Sequence, residues 1–336
     1  KSNKLQDLYS LGNQYVNNFI EKGNLKKSIK APLNMIFCKN CTLVQLKHNA
    51  PQELLYSGYY WYKSGVTNTM KQALKDIVDD INKKVEINKD DIVLDLGSND
   101  GTLLRSYKNK NIIKVGFEPA TNLAKEGKNG VDFFFNDFWD CKKYFKKFKR
   151  KAKVITAIGM FYDMEDPNKF INDASKALDD EGVFVAQLMC LKNMLDSNDV
   201  GNICHEHLEY YSLKSLEFLF KKNNMEIFDI SINDINGGSY RIYARNIGSK
   251  VKIRGSLKRL NKVKLSEKLI NNISIHKKFY KRILDNKKKC VDFINKEVAK
   301  GKKIWIYGAS TKGNVILQFY GLSGKQITGA AERSPW

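Results

Sequence analysis

The sequence predicts an α/β fold in which a parallel sheet is covered by helices on both faces. Three observations carry that expectation. An apolar strand, Asp91-Ile-Val-Leu-Asp-Leu96, runs straight into a glycine-bracketed turn, Gly97-Ser-Asn-Asp-Gly101. A second strand spanning Asn111–Glu118 ends on an acid followed by Pro119, roughly 20 residues beyond that turn, the distance at which an acid meets a bound ribose. Strand-like segments then recur at 131–136, 152–159 and 182–188, with a helix opening at Pro167, and such alternation is the signature of βα units.

Size and composition bound the alternatives. A chain of 336 residues with 42% hydrophobic content is globular and long enough for two or three domains. The longest apolar run, Val183–Leu191, falls far short of the ~20 residues that span a bilayer. Lys1-Ser-Asn-Lys4 lacks a signal-peptide pattern, so a cytoplasmic protein with no membrane partner is expected, and a monomer is taken as its default state. Of six cysteines only Cys38 and Cys41 are close in sequence, which is no disulfide framework. Lys and Arg number 58 against 36 Asp and Glu, a formal +22 that invites a nucleic-acid reading. Most of that charge is lysine scattered among asparagines, with local blocks at Lys142–Lys153 and Lys287–Lys289. It reads as solvated faces, and no nucleic-acid partner is expected. The same positive field would favour a diphosphate-bearing small molecule.

In chain order, residues 1–55 show little helical periodicity and contain the knuckle Cys38-Lys-Asn-Cys41. Structural zinc needs four ligands, and no second C-x-x-C occurs. His48 is a third ligand or a surface histidine, and the two cysteines are otherwise free thiols. At the first turn, Gly97 and Gly101 let backbone approach a ligand closely, while Asp95 offers a carboxylate at the strand end. Ser98 and Asn99 complete the loop, and Asn99 stands where a dinucleotide fingerprint has the glycine that admits a pyrophosphate. Glu118, ahead of Pro119, is placed to grip a ribose diol. Asn136-Asp137 ends the third strand, where it reads an adenine amine or merely caps the strand. Gly159-Met-Phe-Tyr-Asp163 follows the fourth strand and lines the same edge.

Cys204-His-Glu-His-Leu-Glu-Tyr-Tyr-Ser212 holds two of the four histidines. His205 and His207 are two apart, so on a strand or extended loop they face the same way, while on a helix they would diverge, and the spacing excludes an H-E-x-x-H zinc helix. A general acid/base loop and a polar surface turn are the readings left. Leu257–Lys300 reads as one or two long charged helices, with Leu265, Leu269, Ile273, Val291 and Ile294 at helical spacing. A second strand–turn–helix at Lys303–Asn314 leads to an apolar helix and a strand beginning at 326–330. So few strands bury little core, so the natural protein is expected to continue past Trp336.

An acid on the first strand, a turn without the pyrophosphate glycine and an acid on the second strand resemble the S-adenosylmethionine (SAM) site of class I, Rossmann-like methyltransferases. Six motifs then occur in order: Cys38–Leu46, Tyr59–Gly65, the SAM loop, His205–Leu219, Asn236–Ala244 and Tyr307–Asn314. Together they are similar to the nucleotide-sugar C-methyltransferase family. The resemblance implies a remnant zinc-binding region over 1–55, a SAM-binding domain over 56–230 and an incomplete C-terminal α/β substrate-binding domain over 231–336. It implies methylation of carbon 3 of a nucleoside-diphosphate-linked 4-keto-6-deoxy sugar. His207 would be the general base and Glu206 a substrate contact, with His205 in the same cluster and Tyr60 and Tyr62 near the sugar.

A ketone acidifies the neighbouring C–H bond, and an imidazole titrating near neutrality suits removal of that proton. Ser239 and Arg241, after Gly237-Gly238, together with Lys312 and Asn314, are candidates to hold the diphosphate. The alternative is that the glycines only form a turn and Lys312 is a solvated helix residue. Three departures limit the transfer: Cys204 replaces a tyrosine, Asn236 replaces a histidine, and the first C-x-x-C of the zinc region is missing. Leu11-Gly-Asn-Gln14 resembles the segment that follows that knuckle, so truncation is expected, with zinc bound at Cys38 and Cys41 only in the full-length protein. A methyltransferase of RNA or protein is the alternative activity, although no Pro-Pro pair supplies the signature of amino-directed enzymes.

Overall fold

The computed structural model describes residues 2–16, 29–58, 60–251, 255–308 and 310–332. Tyr59 and Ala309, members of two of the ordered motifs, lie outside the described residues. The elements begin with strands β1 (Leu5–Tyr15), β2 (Lys30–Cys38) and β3 (Val44–Leu46). Next come α1 (Asn68–Lys84), β4 (Ile92–Leu96), α2 (Thr102–Ser106), β5 (Ile113–Phe117), α3 (Ala124–Gly127), β6 (Phe133–Phe135), α4 (Cys141–Phe148), β7 (Ala152–Ile158), α5 (Pro167–Ala177) and β8 (Leu178–Met189). They continue through α6 (Leu191–Ser197), β9 (Glu209–Tyr210), α7 (Leu213–Lys222), β10 (Met225–Asn233), β11 (Ser239–Asn246) and α8 (Leu257–Ser266). The last are α9 (Ile273–Ala299), β12 (Ile304–Tyr307), α10 (Thr311–Tyr320) and β13 (Ile327–Ala331).

Two compact units cut across this order. One comprises Pro51–Cys190 and Leu213–Ser266; the other comprises Lys1–Ala50, Leu191–Ser212 and Glu267–Trp336. β9 hydrogen-bonds beside β3, drawing the histidine segment into the N-terminal sheet.

The first unit is built on a seven-stranded sheet in the order β10-β11-β8-β7-β4-β5-β6. β4 to β8 are mutually parallel, and β11 alone runs antiparallel between β8 and β10. The order reverses at β4, which is the Rossmann-like switch point, and the antiparallel β11 is the one departure from the expected parallel sheet. Every residue of β4 is buried, so it reads as an apolar run without alternation. Thr67 caps α1 by accepting from Met70 N–H, and Ala73, Leu74, Ile77, Val78 and Ile81 recur on one buried face. That face packs against Val93, Leu104, Val154 and Val185. Asp166 caps α5 with Pro167 in its first turn, as the sequence predicts. Gly237 and Gly238 form the β10–β11 turn at φ of +82° and +118°, a backbone region that glycine enters without strain.

The second unit holds the antiparallel sheet β1-β2-β3-β9. The ring of Tyr9 stacks on Tyr280 of α9 at 5.1 Å and tilts against Phe279 at 5.8 Å, joining sheet to helix. The long charged stretch resolves into two helices, of which α8 belongs to the first unit and α9 to this one. β12 and β13 pair in parallel. Among the described residues no helix is long and apolar enough to cross a membrane.

α8 is tied to β10 through charge. Asp229 is buried and accepts from Arg259 Nε at 2.9 Å and Nη2 at 2.6 Å, with Lys84 3.5 Å away. Replacing Arg259 with Met strands most of that carboxylate, so Arg259→Met should lower stability by about 1–3 kcal/mol. A urea unfolding midpoint unchanged from wild type would show that the pair holds nothing.

Candidate functional site

The turn after β4 is fixed by the strand beside it. Gly97 N–H and Ser98 N–H both donate to the Phe117 carbonyl at 2.9 Å, and Asn99 N–H donates to Glu118 Oε2 at 2.9 Å. Glu118 Oε1 accepts from Ala120 N–H at 2.9 Å, so the buried carboxylate bridges the β4 turn and the end of β5. Asn136 does not enter the crevice; its amide donates to the carbonyls of Glu118 and Pro119 and holds that end in place. Gly97 stands at φ +71°, and a Cβ there would come within 2.8 Å of Met160 Cγ, so only glycine lets the loop after β7 close on this edge.

A cavity of about 310 Å³ opens at this edge, at the lower end of small-molecule sites. Of the residues singled out from sequence it gathers Gly97, Asn99, Glu118, Pro119, Asp137 and Gly159, with Tyr60 and Tyr62 from the aromatic motif. Phe117, Phe138 and Trp139 add an aromatic wall, with Trp139 edge-on to Phe117 at 5.1 Å. Sequence reasoning missed that wall, although the pair Phe138-Trp139 directly after Asp137 was a readable signal.

Asn99 explains why this turn does without the pyrophosphate glycine. Its side chain accepts from Ser64 N–H at 2.9 Å and donates to the Tyr62 carbonyl at 3.0 Å. Asn122 grips Tyr60 in the same manner, accepting from its N–H and donating to its carbonyl. Gly65 N–H donates to Asp100. Side-chain amides thus strap the Tyr60–Gly65 backbone across the cavity's edge, and Asn99 meets the αL backbone requirement (φ +52°) that asparagine tolerates.

Three other expected residues lie outside the lining. Ser98 faces β5, where a Cβ on Gly116 would be 2.6 Å from its hydroxyl oxygen, and Gly101 caps α2. Asp95 is buried inside the sheet and accepts from Thr156 Oγ1 at 2.6 Å. Burial pushes its carboxyl up to about 7, helped by the Glu118 charge and opposed by the Thr156 hydrogen bond. The cavity fits a nucleoside-bearing cofactor on its own features. Each Glu118 oxygen takes one N–H and keeps capacity for hydroxyl donors. The Trp139 indole N–H is buried with no partner among the described residues.

The histidine motif belongs to the second unit and forms a turn, His207 N–H donating to the Cys204 carbonyl at 3.2 Å. Within this turn the two imidazoles take different partners. His207 Nδ1 lies 2.8 Å from the Asn202 carbonyl, and since a carbonyl only accepts, Nδ1 carries the proton and Nε2 the lone pair. His205 is buried, with Nε2 bonded to the Ala31 carbonyl at 3.0 Å, so it anchors the turn to β2. Burial pulls His207 down to about 4, against its Asn202 hydrogen bond and helped by the Lys312 charge. Burial pushes Glu206 up to about 7. Lys312 opens α10 with its ammonium 3.9 Å from Asp199, and Asn314 accepts from Gln318 one turn on.

In the first unit, the buried Ser239 hydroxyl donates to the Ile235 carbonyl, and Arg241 Nε donates to Gln187 with Asp80 3.9 Å from the guanidinium. Cys38 and Cys41 close a turn in which Thr42 N–H meets the Cys38 carbonyl at 2.8 Å. Burial opposes ionisation of Cys38, but the N–H groups of Cys41 and Asn40 and the Ser2 hydroxyl outweigh it and hold the thiol below its ordinary range.

Three family models match the chain: a "Methyltransferase domain" over residues 66–230, a "C-methyltransferase C-terminal domain" over 234–336 and a "Putative zinc binding domain" over 1–56. The chain is similar to the C-methyltransferase NovU of Streptomyces niveus, at 26% identity over 301 residues, 88% of this chain and 70% of that protein. Among solved structures it resembles an S-adenosylmethionine-dependent methyltransferase from Clostridium acetobutylicum, with 14% identity and a TM-score of 0.41 over 52% of this chain and 92% of that one. It also resembles the mycolic acid cyclopropane synthase CmaA1, with 13% identity and a TM-score of 0.42 over 58% and 91%.

Two outcomes test the cavity's framework. Because the native state holds the Asp95 proton more tightly than the unfolded chain, this group's contribution is full below its ordinary pKa of about 4 and is lost as pH rises to about 7. Thermal melts across that window should therefore slope downward in wild type and lose that component in Asp95→Asn; identical slopes would refute it. Asn99→Gly keeps the turn's backbone but removes the strap's anchor, so Ser64 amide exchange should quicken roughly threefold to tenfold, the worth of one hydrogen bond.

Proposed function

The chain belongs to the C-methyltransferase family, a SAM-dependent methyltransferase by its domain make-up, and we propose that it methylates a carbon beside the ketone of a nucleoside-diphosphate-linked 4-keto-6-deoxy sugar. In this reading His207 is the general base. The observation that carries it is the hydrogen bond from His207 Nδ1 to the Asn202 carbonyl, which fixes the tautomer and leaves Nε2 able to accept a proton. Burial pulls the ring down to about 4, so it is neutral at physiological pH. The imidazolium formed on accepting the proton is offset by Glu206, whose carboxyl is part of the same turn.

SAM, bound in the cavity of the first unit, supplies an electrophilic methyl group. Glu118 is assigned to the ribose diol and Asp137 to the adenine edge. Tyr60 and Tyr62 are assigned to the sugar, where a phenol O–H stabilises the enolate oxygen as charge develops. Lys312, Asn314, Ser239 and Arg241 remain candidates for the diphosphate, and the net charge of +22 favours such an anion. Structural zinc is assigned to Cys38 and Cys41 with two further ligands, since among the described residues no third His, Cys, Asp or Glu groups with them.

The test is turnover of SAM with a panel of 4-keto nucleotide sugars beside bulk RNA. A sugar product heavier by one methylene is expected, and methyl transfer to RNA alone would overturn the reading in favour of a nucleic-acid methyltransferase. His207→Ala should cut kcat by about 10²–10⁴ while SAM affinity, measured calorimetrically, stays at the wild-type value. Loss of SAM binding in that variant would place His207 elsewhere in the mechanism.

A further inference from the structure

One donor on the cavity lining is left without an acceptor. Trp139 lines the cavity, and its indole N–H is buried with no partner among the described residues; of the buried side-chain N–H and O–H groups in that condition, it alone belongs to the lining. The rings packed on Trp139 hold it without satisfying it. Its indole stands edge-on to Phe117 at 5.1 Å and tilts against Tyr144 at 6.1 Å, while Phe117 stacks on Phe135 at 4.3 Å. The chain on either side is also fixed. Phe138 N–H, just before it, donates to Asp137 Oδ1 at 2.9 Å, and Asp140, just after it, caps α4 by accepting from Lys142 N–H at 2.7 Å and Lys143 N–H at 3.1 Å.

We propose that Trp139 selects the base of the cofactor: its indole N–H donates to a purine ring nitrogen beside the exocyclic amine, N1 or N7, while Asp137 accepts from the amine. The inference rests on the assignment of SAM to this cavity and goes beyond it to the residue that reads the base. An indole nitrogen only donates, so an acceptor that arrives with the ligand is what satisfies it. Burial of an N–H without that acceptor is costly, and a ligand that brings one recovers the cost. Adenine presents a donor amine with an acceptor nitrogen on each side, the complement of a carboxylate followed by an N–H donor. Asp137 keeps the capacity this requires, since Oδ1 takes the Phe138 N–H, Oδ2 takes the Lys143 ammonium, and each oxygen retains a lone pair. A site built this way discriminates sharply against an analogue with carbon in place of the nitrogen, because the protein donor is then left unpaired. The packed wall holds the indole in place before binding, which lessens the ordering that the ligand must impose.

The test is calorimetric binding of S-adenosylhomocysteine and its 1-deaza, 3-deaza and 7-deaza analogues, each of which exchanges one ring nitrogen for carbon. In wild type, either the 1-deaza or the 7-deaza analogue should bind roughly fivefold to a hundredfold more weakly than S-adenosylhomocysteine, the worth of one buried hydrogen bond. The 3-deaza analogue, altered away from the amine, should bind like S-adenosylhomocysteine. Trp139→Phe keeps an aromatic wall and removes the N–H, so it should no longer distinguish the discriminated analogue from S-adenosylhomocysteine. Equal wild-type affinity for the 1-deaza and 7-deaza analogues and S-adenosylhomocysteine overturns the assignment, as does full discrimination retained by Trp139→Phe. The wild-type series decides the matter even if that variant does not fold. Failure of S-adenosylhomocysteine itself to bind wild type is a separate outcome, which removes the cofactor reading and this inference with it.

Discussion

The first unit depends on how β5 ends. One carbonyl, that of Phe117, takes two successive amides from the turn after β4, and one carboxylate, that of Glu118, takes the third. In a turn whose residues 97, 99 and 101 all stand at positive φ, Gly101 N–H closes back on the Ser98 carbonyl at 2.9 Å, but the amides of residues 97 to 99 bond outside the turn. Those three amides must be satisfied from outside, and the end of β5 satisfies them. Glu118 thereby has a structural duty before any ligand arrives, which is why an acid at this position is more than a sugar contact. Its two amide donors partly offset the burial that raises its pKa.

From that fixed turn, order spreads by side-chain amides. Asn99 can hold the Tyr62–Ser64 backbone only because its own amide is pinned by Glu118, and Asn122 repeats the arrangement at Tyr60. The aromatic segment has no regular secondary structure; its position is borrowed from the sheet edge. A glycine at 99 would make room for a pyrophosphate and lose the strap, so the residue that argues against a dinucleotide also builds the cavity wall.

Much of this was legible in sequence, because it rests on local signals. The β4–turn–α2 unit is a buried apolar run meeting glycines, Pro167 marks the start of α5, and Glu118 sits at the expected distance from the loop. What was not legible rests on long-range pairing. Strands β1 to β3 lack a clean alternation, and the register between β1 and β2 is broken twice, which hides the period-2 pattern on which strand reading relies. Nothing near Glu209 announces that it will pair with Gln45, yet that short ladder removes the histidine motif from the unit that precedes it in the chain. Its place at the strand end points Asp95 toward a ligand. Its register opposite Thr156 gives it an internal partner instead, and register cannot be read from one strand alone.

The histidine pair shows how little residue type decides. His205 and His207 share a turn, and burial lowers both, but one bonds through Nε2 and the other through Nδ1. The first arrangement spends Nε2 on the Ala31 carbonyl of β2; the second spends Nδ1 on the Asn202 carbonyl. A proton acceptor requires of an imidazole a neutral ring and a fixed tautomer, and of this pair it is His207 whose Nδ1 proton is held by a carbonyl of its own turn, while His205 is tied through Nε2 to the neighbouring strand.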